Sequence, residues 1–359
     1  MKASRMKIRI VLAPGATTDA TPIQISDRLQ RHLRSIRLGR AVCDLEDMLN
    51  QLSPGADALD AHDIDKIDRR ARRYHALSQL RSGMSHLKKE EAARLEPYLA
   101  GMPVAMVRSE ARADEIAAGI HAGFPWLAPA TEEIWHALRR AARDGTPATI
   151  PPLLLNGPPG IGKSTWARAV GRAIGAPTDA IEATSDPSGI SLSGMQRGWS
   201  SHCCGRPLEM ILRTGIANPL IVVDEIDKVA TMTTTRGTRH CLTDVMLSLI
   251  EPQSAQAWTC PNLGLNFDMS HISWIATSNG TRSIPAPLLS RLRLVTCPPM
   301  TRSQVVAFAE AEMQRRGLSP VAADVASEII RERMSEPSLR DVIRVIDRAE
   351  SLAARPVLH

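Results

Sequence analysis

Between Leu153 and Thr165 the chain reads LLLNGPPGIGKST. The three leucines form a short apolar run, as expected of a strand buried on both faces. Gly157, Pro158, Pro159, Gly160, Ile161, Gly162, Lys163 and Ser164 then follow with G-x-x-x-x-G-K-S spacing, and Thr165 to Ile174 continue with helical periodicity. Strand, glycine loop, helix is the context that a phosphate-gripping loop requires. Glycines let backbone N–H groups turn inward around a phosphate, and the helix N-terminus adds positive potential. At this spacing Lys163 can bridge the outer phosphate oxygens of a nucleoside triphosphate, and Ser164 can ligate Mg2+.

The sequence beyond the loop repeats the strand-and-helix theme. Apolar runs at Leu220–Val223 and Ile272–Ala276 alternate with helical patterns at Thr165–Ile174 and Cys241–Ile250. This alternation predicts a three-layer α/β domain built on a parallel sheet. The run at Leu220 ends in Asp224 and Glu225, which are expected to hold the metal and to polarise an attacking water. Paired acids also occur at ordinary sheet edges, so their weight comes from following the glycine loop by about sixty residues. Ile272–Ala276 leads into Thr277-Ser278-Asn279, where the Asn279 amide is placed to orient a water or touch a phosphate; a turn-forming asparagine is the alternative.

Charge separates the ends of the chain. Residues 1–100 hold 18 Lys and Arg against 13 Asp and Glu, whereas residues 101–359 hold 26 against 25. The basic part reads as helical: Ile25, Leu29, Leu33 and Ile36 recur at helical spacing with Ser26 or Asp27 as a cap and Gly39 as a stop. Further helices are predicted over Val42–Leu52, Ala56–Gly83 and Ser85–Leu99, after a linker at 12–22. A basic helical surface can meet nucleic acid or an acidic protein, or can simply be solvated. Aromatic residues make up only 3% of the chain, too few for a base-stacking surface. The six cysteines show no C-x-x-C pair and no zinc spacing, as expected of reduced thiols in a cytoplasmic protein. No apolar run approaches the roughly 20 residues that span a bilayer. After Pro298-Pro299 the pattern is purely helical, over Arg302–Arg316, Val321–Met334 and Ser338–Ala353. The expected division is therefore a basic, mainly helical part at 1–104, an α/β nucleotide-binding core at 105–299 and a helical lid at 300–359.

Five segments carry a family resemblance: GPPGIGKST, NPLIVVDEIDK, DVMLSLIEPQ, FDMSHISWIATSN and IPAPLLSRL. With them residues 105–353 resemble the AAA+ ATPases, and within that family the ATPase module of Lon proteases. The resemblance implies ATP and Mg2+ as ligands and a ring of subunits, a homo-hexamer, with a protein substrate. It further implies that Gly157 to Thr165 act as Walker A, that Asp224 and Glu225 act as Walker B, and that Asn279 acts as sensor 1. Arg291 resembles the arginine finger that reaches a neighbour's ATP, although the family's usual acid before it is Ser290 here. Arg340 resembles the sensor 2 arginine, and Met195 and Trp199 fall where the family threads a protein substrate through its pore. For Trp199 a packed core position is the other reading. Phe124-Pro125-Trp126-Leu127 is loosely placed at an adenine pocket. The Lon peptidase would follow the lid, and the expectation for these 359 residues is a motor without it.

Overall fold

The computed structural model describes residues 6–12, 21–44, 59–82, 84, 86–197, 202–229, 232–233, 239–333 and 338–353. Near the N-terminus α1 (Pro22–Asp44) and α2 (Ala61–Ser82) pack against each other as a hairpin. α1 begins four residues before the expected cap because Thr21 and Gln24 cap it reciprocally. The Thr21 N–H donates to Gln24 Oε1 at 2.9 Å and the Gln24 N–H to Thr21 Oγ1 at 3.3 Å. Ser26 is buried within the hairpin instead, its hydroxyl donating to Asp68 on α2. Gly39 does not stop the helix. The predicted 12–22 linker and Val42–Leu52 helix lie mostly outside the described residues. α3 (Lys89–Leu95) and a single turn at Glu96–Tyr98 replace the longer helix expected over Ser85–Leu99.

Two helices follow, α4 (Glu110–Gly123) and α5 (Ala128–Asp144). Arg139 on α5 ties them together by pairing with Glu110 and with Asp114, the latter at 2.9 Å. The sheet comes next, interleaved with helices: β1 (Leu153–Asn156), α6 (Lys163–Ile174), β2 (Thr178–Glu182), α7 (Arg206–Thr214), β3 (Leu220–Asp224), α8 (Leu242–Ile250), β4 (Ser273–Ser278) and β5 (Arg293–Thr296). All five strands are parallel, in the order β5-β1-β4-β3-β2. The three predicted strands are the middle of this sheet. Its two edges, β2 and β5, were not predicted, because edge strands are half-exposed and lack a continuous apolar run.

Alternation along the central strands separates two cores. Leu154, Ile221, Val223, Trp274 and Ala276 face one side, where they join Leu208 and Ile211 of α7 and, from the N-terminal part, Ile10, Val11, Leu95 and Leu99. Leu153, Leu155, Leu220, Val222 and Ile275 face the other side and meet Ile116, Ile134, Leu138 and Trp166 of α4, α5 and α6. This is the expected three-layer α/β architecture.

The chain ends in α9 (Arg302–Arg316), α10 (Pro320–Glu328) and α11 (Leu339–Ala353), whose own small core includes Val305, Met313, Ile330, Val342 and Ile346. Glu312 accepts from Arg315 Nε and Arg316 Nε, each at 2.7 Å, and Arg316 Nη1 reaches Asp347 on α11 at 2.6 Å. The Arg315 hydrogen bond, with Arg316 assisting, holds the Glu312 carboxyl down at about 2, from an ordinary 4.5. A depressed carboxyl stabilises the fold fully above its unfolded value, and that contribution is lost as pH falls from about 4.5 toward 2.

Asn218, wholly buried before β3, closes the fold around residue 105. Its Oδ1 accepts the Ala105 N–H at 2.7 Å, and its Nδ2 donates to Ala105 O at 3.1 Å. Asn218→Ala leaves a buried amide without an acceptor, and the expected cost is about 2 kcal/mol. Urea unfolding of the variant against the parent measures it.

Candidate nucleotide-binding site

The carboxyl ends of β1, β3 and β4 meet at one edge of the sheet, where β1 lies between β4 and β5 and the strand order reverses. Open α/β sheets bind ligands at such an edge. Here a cleft of about 920 Å3 opens between the sheet and the C-terminal helices, lined by Gly160, Lys163, Ser164, Asp224, Glu225, Asn279 and Arg340 among others.

Lys163 is the first residue of α6 and is only 7% exposed. Its Nζ donates to Gly157 O at 2.6 Å, Pro158 O at 2.8 Å and Asn279 Oδ1 at 3.1 Å. Burial pulls the ammonium below its ordinary pKa, and the nearby acids Asp227, Asp224 and Glu225 oppose that pull. A buried cation held by neutral oxygens is suited to pairing with an anion. Ser164 Oγ donates to Asp224 Oδ1 at 2.5 Å, and Thr277 Oγ1 donates to the same oxygen at 3.1 Å. Thr277 Oγ1 also accepts the Glu225 N–H at 3.1 Å, so one hydroxyl from β4 fixes both acids at the end of β3. Glu225 has φ +58°, unlike every other non-glycine among the described residues. Backbone strain of this kind concentrates at working sites. The Glu225 carboxylate pairs with Lys228 Nζ at 2.8 Å. The Asn279 N–H donates to Asp227 Oδ2 at 3.2 Å.

The loop itself is shaped by glycine. Gly160 has φ +76°, and a Cβ there would lie 2.5 Å from Ser338 Cβ. Its carbonyl accepts the Leu339 N–H at 2.9 Å, which docks the start of α11 on the loop. Ile161 is buried, and its carbonyl accepts Trp126 Nε1–H at 2.8 Å. Pro159 and Thr165 line the cleft, as does Phe124, while Trp126 sits in the core. The Ser164 hydroxyl and Asp224 carboxylate are hard oxygen donors of the kind Mg2+ takes. The residues present therefore fit a Mg2+-bound nucleotide.

The sequence-nominated residues are not all brought together. Lys163, Ser164, Asp224, Glu225, Asn279 and Arg340 share the cleft. Arg291 is not part of its lining; its Nε pairs with Glu251. Met195 is elsewhere, its N–H donating to Cys203 O at 2.9 Å, and Trp199 lies outside the described residues. Thr277, Arg168 and Lys228 were not nominated. Arg168 stands one turn after Ser164 on α6, with Nη2 3.7 Å from Asp224 Oδ2, so its i,i+4 spacing was the available signal.

Residues 153–299 match the model of the ATPase family associated with various cellular activities (AAA). This core is an AAA ATPase domain. The chain containing the AAA domain is 29% identical over 223 residues to a Lon protease of Helicobacter pylori strain J99, covering 60% of this chain and 26% of that protein. It is 31% identical over 145 residues to a Lon protease of Porphyromonas gingivalis, covering 40% and 17%. A peroxisomal Lon protease homolog 2 of Danio rerio is 26% identical over 205 residues, covering 55% and 24%. The chain thus spans about a quarter or less of the length of these relatives. Among solved structures, the Thermotoga maritima RuvB Holliday junction branch migration motor overlays with a TM-score of 0.40 at 16% identity, covering 60% of this chain and 59% of that one.

Gly160→Ala would force a side chain into the left-handed region and against Ser338, a strain of at least about 1–2 kcal/mol. The AAA domain variant is expected to lose at least tenfold in affinity for a fluorescent ATP analogue while its far-UV circular dichroism stays unchanged.

Proposed function

We propose that this chain binds ATP with Mg2+, hydrolyses it within a ring of subunits, and spends the cycle on remodelling or unfolding a protein. The observation that carries the reading is the convergence of Lys163, Ser164, Asp224, Glu225 and Asn279 on one cleft at the sheet edge. Ser164 and Asp224 hold the metal, which when bound neutralises charge on the phosphates. Gly157 to Thr165 wrap the phosphates, and Lys163 supplies the buried positive charge. Glu225 takes the proton of the attacking water, after its carboxylate leaves Lys228. Asn279 orients that water, and Arg340 closes on the phosphates from the C-terminal helices. Positioning and electrostatics are sufficient for this chemistry.

A ring is supported by Arg291, which does not line its own subunit's cleft and so is available to a neighbour's. The number six rests on the Lon resemblance, as do the pore roles of Met195 and Trp199. We assign residues 1–104 to partner contact, 105–299 to the nucleotide and 300–359 to a moving lid, and no peptidase step is included. No helix among the described residues is long and apolar enough to cross a membrane; the proposed cytoplasmic setting rests on the five cysteines that are free thiols among the described residues. Glu225→Gln is expected to keep ATP affinity within about twofold and to lose at least a hundredfold in turnover, as read by calorimetry and phosphate release. Unchanged turnover would remove Glu225 from the base role.

A second reading is an ATP-gated scaffold on nucleic acid. Helices α1 and α2 together carry 11 Lys and Arg against five Asp, and Arg28, Arg31, Arg34, Arg70 and Arg73 are exposed. If the hairpin carries a nucleic-acid backbone, duplex DNA stimulates the ATPase at 50 mM salt and the stimulation falls steeply by 200 mM. Stimulation by unfolded protein, little changed by salt, decides for remodelling.

A further inference from the structure

Arg291 carries a guanidinium whose edges are unequally occupied. Its Nε donates to Glu251 Oε2, and its Nη1 donates to Ser290 Oγ at 2.9 Å. The Ser290 hydroxyl donates onward to Pro287 O at 2.8 Å, so it is itself fixed. Nη2 makes no hydrogen bond among the described residues, and the Arg291 side chain remains 46% exposed. One edge of the fork is therefore clamped and the other faces solvent, ready for the two-point contact that guanidinium makes with phosphate oxygens.

The clamp is rigid because Glu251 is. Its N–H donates to Leu247 O at 2.9 Å at the end of α8, and its carbonyl accepts the Ala255 N–H at 2.9 Å in the following turn. Pro252 fixes the exit from α8. A carboxylate on a backbone bonded at both sides holds a long, entropy-rich arginine in one direction, which cuts the ordering cost of reaching a ligand.

We propose that Glu251 is the positioning residue of Arg291, directing its free edge at the phosphates bound by the adjoining subunit. The acid that the position before Arg291 lacks, Ser290 standing there, comes from 40 residues earlier in the sequence. This rests on the reading of Arg291 as a residue acting between subunits. An interaction that serves a neighbour's chemistry alters turnover without altering ATP binding in its own cleft.

The experiment compares Mg-ATP turnover, ATP affinity and thermal melting of the full chain with its Arg291→Ala, Glu251→Ala, Glu251→Gln and Lys163→Ala variants. Glu251→Ala is expected to lose about tenfold in kcat with KM within twofold of the parent. Glu251→Gln, which retains an acceptor oxygen for Nε, is expected to recover to within about threefold of the parent. Mixing Glu251→Ala subunits, whose loop is intact, with Lys163→Ala subunits, whose arginine clamp is intact, is expected to give more turnover than the two apart. An acid needed only for its own subunit's fold would give no such gain. If Arg291→Ala turns over normally, the inter-subunit reading falls and this proposal with it. If Arg291→Ala is impaired while Glu251→Ala turns over normally, or if mixing restores nothing, the positioning role alone is overturned.

Discussion

The register of the three central strands is the constraint from which the site follows. Parallel pairing sets Ser278 beside Asn156 and Ala276 beside Val223. β1, β3 and β4 therefore end together, and the residues that follow them emerge at one edge. Because these strands are buried on both faces, a one-residue slip would exchange Leu154 with Leu155 or Val222 with Val223 between two differently shaped cores. The packing that stabilises the sheet is thus the same packing that delivers Asp224 to Ser164 and Thr277. The acids are placed by the strands, not by the loop.

This explains which parts were legible in the sequence. Leu153–Leu155, Leu220–Val223 and Ile272–Ala276 are apolar runs because both sides of them are covered, and the loop between Gly157 and Ser164 has a spacing that phosphate binding dictates. The edge strands β2 and β5 carry polar residues on their open sides and gave no such run. Ser26 illustrates a different failure. A serine before an amphipathic stretch reads as a helix cap, but Thr21 and Pro22 had already started the helix, and Ser26, itself buried, found a partner in Asp68 from 42 residues away. Tertiary partners are not written locally.

The same reasoning separates the nominated residues. Lys163, Ser164, Asp224 and Asn279 lie on the sheet edge or the loop it supports, so strand register alone brings them together. Thr277 lies within FDMSHISWIATSN, but its role depends on β4 pairing beside β3, where its hydroxyl reaches the Asp224 carboxylate and the Glu225 N–H. Arg340 depends on a further layer, the docking of α11 through the Leu339 N–H and Gly160 O. Its place in the cleft is therefore a property of that contact, and any rotation of the C-terminal helices on the loop moves it.

Glu225 and Lys228 add a last step. A carboxylate paired with an ammonium at 2.8 Å is turned toward that ammonium and away from other partners. Lys228 is nearly half exposed, so parting the pair costs little, on the order of 1 kcal/mol or less. The backbone of Glu225 is held by the Thr277 hydroxyl, while among the described residues its side chain is held by this weak pair. The arrangement separates a fixed main chain at the end of β3 from a carboxylate that can turn. An acid anchored this way can be restrained in one state and released in another without any change in the sheet that carries it.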